Sequence, residues 1–132
     1  MSSLDQFLPS SNWGRGNGAV LVTNYYEKLQ TLTWSSAITI SIKDAPLYKA
    51  TAVSNTTFTI SATGSNLQAG YVASFSLELV NGGTYVITWP ASVKWPSGTA
   101  PTLTASGTDV LTFYTSDAGT TWRGALTMKD SR

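Results

Sequence analysis

The sequence predicts an all-β fold, an antiparallel β-sandwich with jelly-roll-like packing, and three observations lead to this prediction. Short stretches with a period of two recur along the chain, turn-forming residues separate them, and no credible long helix is indicated. A closed barrel is the alternative that the same pattern allows, and we favour the sandwich over it.

The chain begins with a segment that we interpret as an extended N-terminal arm. Residues 1–18 sustain neither a helical nor a strand period, and Ser, Asn and Gly interrupt them repeatedly. The residues of this arm that we assign to a candidate capsid or subunit interface are Leu4, Phe7, Leu8, Pro9 and Trp13. Four of them are large and apolar, so we expect burial either in the domain's own core or in a groove of a neighbouring subunit.

Alternation of apolar and hydroxyl side chains predicts the central strands. Ile38, Ile40 and Ile42 alternate with Thr and Ser, so one face is predicted to be buried and the other lined by hydroxyls. The alternation recurs at 57–61, and a strand of mixed character is predicted at 47–53. A short apolar strand at 19–23 precedes them.

The longest predicted strand runs from Tyr71 to Leu79, with its large apolar side chains on one face. Asn81-Gly82-Gly83 follows, and these residues tolerate the positive φ angles that a tight turn requires. A further strand is predicted at 84–89. We therefore expect a hairpin between these two strands.

The stretch that follows contains two Trp-Pro pairs, Trp89-Pro90 and Trp95-Pro96. Proline cannot donate a ladder hydrogen bond, so each pair predicts a strand end whose tryptophan covers the open end of a sheet layer. A strand at 109–114 and a last strand around Trp122 come after them. We interpret the rings as core residues; the alternative is an aromatic platform for a sugar or a protein, formed by Trp89, Trp95, Tyr114 and Trp122.

Length and composition predict one domain that works in contact with other proteins. The 132 residues divide into the arm at 1–18, a single domain at 19–128 and a polar tail at 129–132 that we expect to be frayed. Charged residues make up only 11% of the chain, against about a quarter in an average domain, whereas 37 residues are Ser or Thr. Such a surface has little charge to keep it apart from other proteins.

Charge and hydropathy also exclude several classes of partner. The formal net charge is +1 and the Lys and Arg residues are scattered singly, whereas nucleic-acid binding requires a concentrated basic face. No signal peptide is readable, and no apolar run approaches the roughly 18–20 residues of a membrane span. We expect neither nucleic acid nor membrane as a partner, and a protein made in a cytoplasm.

The residue types present argue against catalysis. The chain has no His and no Cys, so it lacks the commonest general base, the thiol nucleophile and the usual ligands of transition metals. Asp109 and Asp117 flank one predicted strand, and a glycosidase needs two carboxylates roughly 5–10 Å apart. The favoured interpretation is that Asp109 caps a strand and that Asp117 bonds nearby backbone in a turn. We expect no enzyme, no cofactor and no metal site.

The Trp-Pro stretch also carries a resemblance. The chain reads Thr-Trp-Pro at 88–90, Val-Lys-Trp-Pro at 93–96, Thr-Ala-Pro-Thr-Leu at 99–103, Asp-Val-Leu-Thr-Phe-Tyr at 109–114 and Gly-Thr-Thr-Trp at 119–122. This order resembles the Trp-Pro-rich C-terminal β-module of virion structural proteins of tailed bacteriophages, which occurs in capsid decoration (cement), head-fibre and tail-fibre proteins. The resemblance covers roughly residues 31–126.

The resemblance implies a virion structural protein made in the cytoplasm of a bacterial host. The favoured expectation is a decoration protein on the capsid surface, with the major capsid protein and copies of itself, as a homotrimer or homodimer, for partners. The alternative is a receptor- or carbohydrate-binding module of a tail or head fibre, with a host glycan as its ligand. Fibre modules usually follow a shaft and an attachment region, and neither is readable here, which favours decoration.

Overall fold

A computed structural model of the protein describes residues 24–132. The predicted arm, with Leu4, Phe7, Leu8, Pro9 and Trp13, and the strand predicted at 19–23 lie outside the described residues. The described part is all-β, as predicted, with two 3-10 turns, Gly82–Thr84 and Pro96–Gly98, as its helical segments. Its strands are β1 Leu29–Thr31, β2 Ala37–Ser41, β3 Leu47–Thr51, β4 Thr56–Ser61, β5 Ala73–Val80, β6 Ile87–Thr88, β7 Val93–Lys94, β8 Thr108–Thr115 and β9 Trp122–Met128.

These strands form two sheets that share one hydrophobic cluster. The six-stranded sheet has the order β1-β3-β5-β8-β9-β7, and the three-stranded sheet has the order β2-β4-β6. Ile40 and Phe58 of the smaller sheet belong to the same cluster as Leu77, Leu111 and Phe113 of the larger one. The alternation read from the sequence therefore identifies the core-facing positions of these strands.

The path of the chain explains the strand directions. From β1 to β6 the described chain alternates between the sheets, so that β1, β3 and β5 enter one sheet and β2, β4 and β6 enter the other. Each time the chain comes back to a sheet, the new strand runs in the same direction as the previous strand of that sheet. These neighbouring strands are therefore parallel, as in the pairing of Ile38 with Phe58. Among the described strands, only β8 is antiparallel to its neighbours, β5 and β9, while β7 and β9 are parallel. The predicted antiparallel pairing is wrong for most of the described pairs.

The hairpin predicted between the 71–79 and 84–89 strands does not form. β5 already has β3 on one side and β8 on the other. Asn81 does adopt the left-handed conformation, with φ of 60°. The 3-10 turn after it sends the chain to the other sheet, where β6 pairs with β4. Gly83 is required there because a Cβ atom would lie 2.1 Å from the backbone oxygen of Leu103.

Hydroxyl side chains form hydrogen bonds on the outer face of the small sheet. The hydroxyls of Thr39 and Thr59 are 2.8 Å apart on the exposed face, which is lined by hydroxyls as predicted.

The tail was expected to be frayed, and this is wrong. Ser131 N donates to the Thr108 carbonyl at 2.7 Å, and Asp130 N donates to Asp109 Oδ1 at 2.9 Å. These bonds hold the tail along the start of β8.

Candidate functional site

The Trp-Pro stretch packs at the junction of the two sheets. The Trp89 ring stacks on Phe58 of β4, with centroids 5.1 Å apart and an interplanar angle of 13°. It also meets Phe113 of β8 at 5.7 Å and Trp95 edge-on at 5.3 Å. Because Phe58 and Phe113 belong to different sheets, Trp89 fills the space between them.

Each Trp-Pro pair stands where a strand ends. β6 ends immediately before Trp89-Pro90, and β7 ends immediately before Trp95-Pro96. Val93 N then donates to the Pro90 carbonyl at 2.9 Å, and the second pair opens a 3-10 turn. The proline rings therefore stand in turns, where no ladder donor is needed.

The structure does not combine Trp89, Trp95, Tyr114 and Trp122 into one exposed aromatic platform. Trp122 is only 1% exposed and packs edge-on against Phe75, with centroids 5.3 Å apart. Trp89 and Trp95 are partly buried against the core. Tyr114, with 44% of its surface exposed, is the member of this set whose ring is available to a ligand.

Asp109 is fully buried and serves as a hydrogen-bond acceptor at the start of β8. Its carboxylate accepts from Thr104 N at 2.6 Å, from Thr104 Oγ1 at 2.8 Å and from Asp130 N at 2.9 Å. The side chain thus fastens both the preceding loop and the C-terminal tail to β8. These bonds explain how a carboxylate is accommodated without an ion pair.

Asp117 lies in the turn beyond the other end of β8, so the two carboxylates are far apart. A strand rises by about 3.3 Å per residue, which puts roughly 20 Å of strand between Asp109 and the end of β8 at Thr115. That separation exceeds the roughly 5–10 Å between the carboxyl groups of a glycosidase. Asp117 accepts from Thr121 N at 2.8 Å and from Thr115 Oγ1 at 2.9 Å.

These bonds favour the charged form of Asp117 and give a testable pH dependence. The backbone bond from Thr121, and then the hydroxyl of Thr115, hold the pKa of Asp117 below its ordinary value of 3.8. The stabilisation of the fold by the charged Asp117 is therefore complete above about pH 3.8, the pKa of the unfolded state. It is lost as the pH falls through the lower pKa of the folded state. We expect Asp117→Asn to lower the melting temperature at neutral pH. The difference in melting temperature between the variant and the wild type should become smaller at about pH 3. A gap that stays constant between these pH values would contradict this role.

Large apolar side chains are exposed at one end of the six-stranded sheet. Because β1, β3 and β5 are parallel, the residues that precede them lie at the same end. Tyr25 and Tyr26 precede β1, Tyr71 and Val72 precede β5, and their exposed fractions range from 66% to 89%. We call these four residues the apolar end. The chain arrives there from residues 1–23.

Most of the outer edge of β9 in the same sheet has no strand partner among the described residues. β7 pairs with Trp122 and Arg123, at the start of β9. From Gly124 to Met128, β9 has β8 on one side and no strand of the described chain on the other. Unpaired backbone groups at such an edge can pair with a strand of another chain.

Sequence reasoning missed a row of hydrogen-bond donors on the outer face of the large sheet. Ser74, Tyr114, Arg123 and Lys94 are register neighbours across β5, β8, β9 and β7, and all four are exposed. Within residues 24–132, neither Lys94 nor Arg123 forms an ion pair. No local pattern indicates this row, because the two cations are distant in the sequence and only strand pairing brings them together.

No family model, curated protein or solved structure matches the chain. Over residues 24–132, no helix is long and apolar enough to span a membrane. The same residues contain no group of three or more His, Cys, Asp or Glu side chains placed to hold a metal ion. Function is therefore inferred from the geometry and from the residues that carry the phage resemblance.

Proposed function

We propose that this chain is a bacteriophage virion structural protein, a decoration protein that binds the outer capsid surface and stabilises the shell by bridging coat subunits. The observation that carries the proposal is the apolar end. An exposed apolar surface of this kind is typical of protein–protein contact. The described chain begins at Asn24, close to Tyr25 and Tyr26 of the apolar end, and in this proposal the preceding arm and the apolar end contact the same neighbour.

In this proposal the arm contributes binding energy in addition to the apolar end. Burial of Leu4, Phe7, Leu8 and Trp13 would contribute on the order of 1.5–3 kcal/mol for each side chain before the cost of ordering the arm. Each bound copy would then add its own contacts to the cost of separating two coat subunits. Repeated over a shell, these contacts would resist the internal pressure of packaged DNA.

The open edge of β9 supports a second type of contact. An extended segment of a coat subunit or of a second copy can add a strand along Gly124–Met128. Closed symmetry is usual in such assemblies, so we propose a homotrimer or homodimer on the capsid surface, with the major capsid protein as its partner. The phage context of this proposal comes from the Trp-Pro resemblance.

A finer description of the fold belongs to the same proposal. We propose that the two sheets are the layers of a β-sandwich, because Trp89 contacts Phe58 in one sheet and Phe113 in the other. The likeness to a jelly roll is limited to two packed sheets, since parallel pairs replace most of the antiparallel pairs of that fold.

Deletion of residues 1–13 is expected to abolish capsid binding and to leave a folded domain. The measurement is co-sedimentation of the purified protein with expanded capsids that lack it, with the melting temperature of the truncated protein measured alongside. Saturable binding by the full chain would also give the number of copies per coat subunit. Normal decoration by the truncated protein would refute the role of the arm, and no binding by the full chain would refute capsid decoration.

A matched pair of valines tests the apolar end. Val72 and Val86 have similar exposed fractions, 70% and 64%. Val86 immediately precedes β6 of the small sheet, beyond the other end of β3, where its backbone N donates to Asn55 Oδ1 in the loop after β3. We expect Val72→Asp to weaken capsid binding by at least about tenfold, because it places a charge in an apolar contact, and Val86→Asp to leave it unchanged. Equal effects would show that the apolar end is not the contact.

A further inference from the structure

A shallow pocket of about 260 Å³ lies at the outer edge of the large sheet, where β7 leaves β9. It is lined by Lys94, Trp95, Pro96, Tyr114, Arg123 and Gly124. Pockets for drug-sized ligands measure about 300–1,000 Å³. This one is therefore of a size for a single small unit, such as one sugar ring.

The two cations of the pocket are arranged at a cost to the fold. Lys94 and Arg123 are direct register partners on neighbouring strands, and like charges in that position are destabilising. Among residues 24–132, no carboxylate lines the pocket to offset them. On the same face, Lys49 is instead the register partner of Glu78. An anion bound between Lys94 and Arg123 would remove the repulsion.

The walls of the pocket are held in place by the core. A Cβ atom at position 124 would lie 2.8 Å from the Trp95 ring, so Gly124 allows that ring to lie directly against β9. Contacts of Trp95 with Trp89 and Phe113, at 5.3 and 5.7 Å, fix it further. Lys94 Nζ donates to the Ala91 carbonyl at 2.9 Å, which orients the ammonium group. Trp95 and Lys94 would therefore need little further ordering when a ligand binds.

We propose that this pocket binds an acidic sugar. A carboxylate accepts two parallel hydrogen bonds from a guanidinium, here that of Arg123, with the ammonium of Lys94 beside it. Tyr114 and Pro96 supply apolar surface for the sugar ring, and the hydroxyl of Tyr114 is a donor and acceptor for its hydroxyl groups. An acidic protein surface also carries carboxylates, but a pocket of this size favours a single ring over a broad contact.

This inference goes beyond capsid decoration. It gives each copy of the protein its own binding site, with a low affinity for a single acidic sugar. If the protein decorates a shell, many copies would present the site at once, and a weak single-site affinity would become strong attachment to a surface rich in acidic glycans. The binding site itself is tested on the free protein, so its failure would leave the decoration proposal standing.

The experiment is a titration of the full-length protein with glucuronic acid, followed by NMR shifts of the Tyr114, Arg123 and Gly124 amides. We expect saturable shifts confined to the pocket and at least about tenfold weaker binding of glucose, its neutral counterpart. Arg123→Gln is expected to lose at least about tenfold in affinity, because the bidentate partner is removed. Lys49→Gln, which changes the net charge equally outside the pocket, should bind as the wild type does.

Lys94→Gln separates a binding role from a structural one. It should weaken glucuronic acid binding and keep or raise the melting temperature, because it relieves the repulsion from Arg123. Three results would overturn the proposal: no saturable shifts with glucuronic acid, equal binding of inorganic phosphate, or tighter binding of an oligoglutamate peptide. The second would indicate a general anion site, and the third would indicate an acidic protein as the partner.

Discussion

Replacement of Trp89 by alanine is expected to lower the free energy of unfolding by about 3–5 kcal/mol. The ring fills the space between Phe58 of one sheet and Phe113 of the other, so its removal leaves a cavity where the two sheets meet. The total stability of a domain is about 5–15 kcal/mol, and the variant would therefore lose a large part of it. Urea denaturation of both proteins measures the difference.

Tyr114→Ala is the matched control for this loss. Tyr114 is an aromatic residue of the same sheet, but 44% of its surface is exposed on the outer face. Its truncation should change the free energy of unfolding by no more than about 0.5–1 kcal/mol. If Trp89→Ala had an equally small effect, the indole would not be packed between the sheets, and the aromatic-platform interpretation would regain support.

Local pattern predicted the longer strands and their buried faces because those properties are encoded within a few residues. It did not predict the short strands β1 and β7. Ile38 and Ile40 of β2, or Phe75, Leu77 and Leu79 of β5, alternate with polar side chains, and in a strand alternate residues face opposite sides. Each of these five side chains is buried in the common cluster. The all-β class follows from the same local signal.

Strand partners could not be predicted in the same way, because turn chemistry is compatible with more than one path. Asn81 adopts the left-handed conformation that a hairpin also uses, yet Gly83 after it allows the close approach of the Leu103 backbone. The chain then changes sheet instead of reversing beside β5. A period of two does not distinguish a hairpin partner from a strand that returns to the sheet about twenty residues later, as β4 returns beside β2.

In the candidate sites, too, the role of single residues was predictable but their partners were not. The sequence indicated that Asp109 has a structural role, but not that its partners would be Thr104 and Asp130. Lys94 and Arg123 became neighbours only through the parallel pairing of β7 with β9. Features that depend on contacts between distant segments are determined by the whole fold, and a local reading of residue types does not contain them.

Asp109→Ala is expected to lower the free energy of unfolding by about 3–4 kcal/mol. It removes the acceptor of three hydrogen bonds, and each partly buried donor left without a partner costs about 1–3 kcal/mol, less where water can reach it. Because the carboxylate fastens the loop at Thr104 and the tail at Asp130, amide exchange at both positions should accelerate more than exchange in β5. Denaturation and hydrogen exchange of the same variant measure the two effects.

Two further variants separate the hydrogen bonds of Asp109 from its charge. Asp109→Asn keeps one carbonyl oxygen as an acceptor but directs an amide donor at a donor of Thr104, so we expect an intermediate loss of about 1–2 kcal/mol. Asp44→Ala removes an equal charge from an exposed ion pair with Lys43 and should cost less than about 1 kcal/mol. If Asp109→Ala cost no more than Asp44→Ala, water would be able to replace the carboxylate. The tail would then be held to β8 by other contacts, such as the bond from Ser131 N to the Thr108 carbonyl.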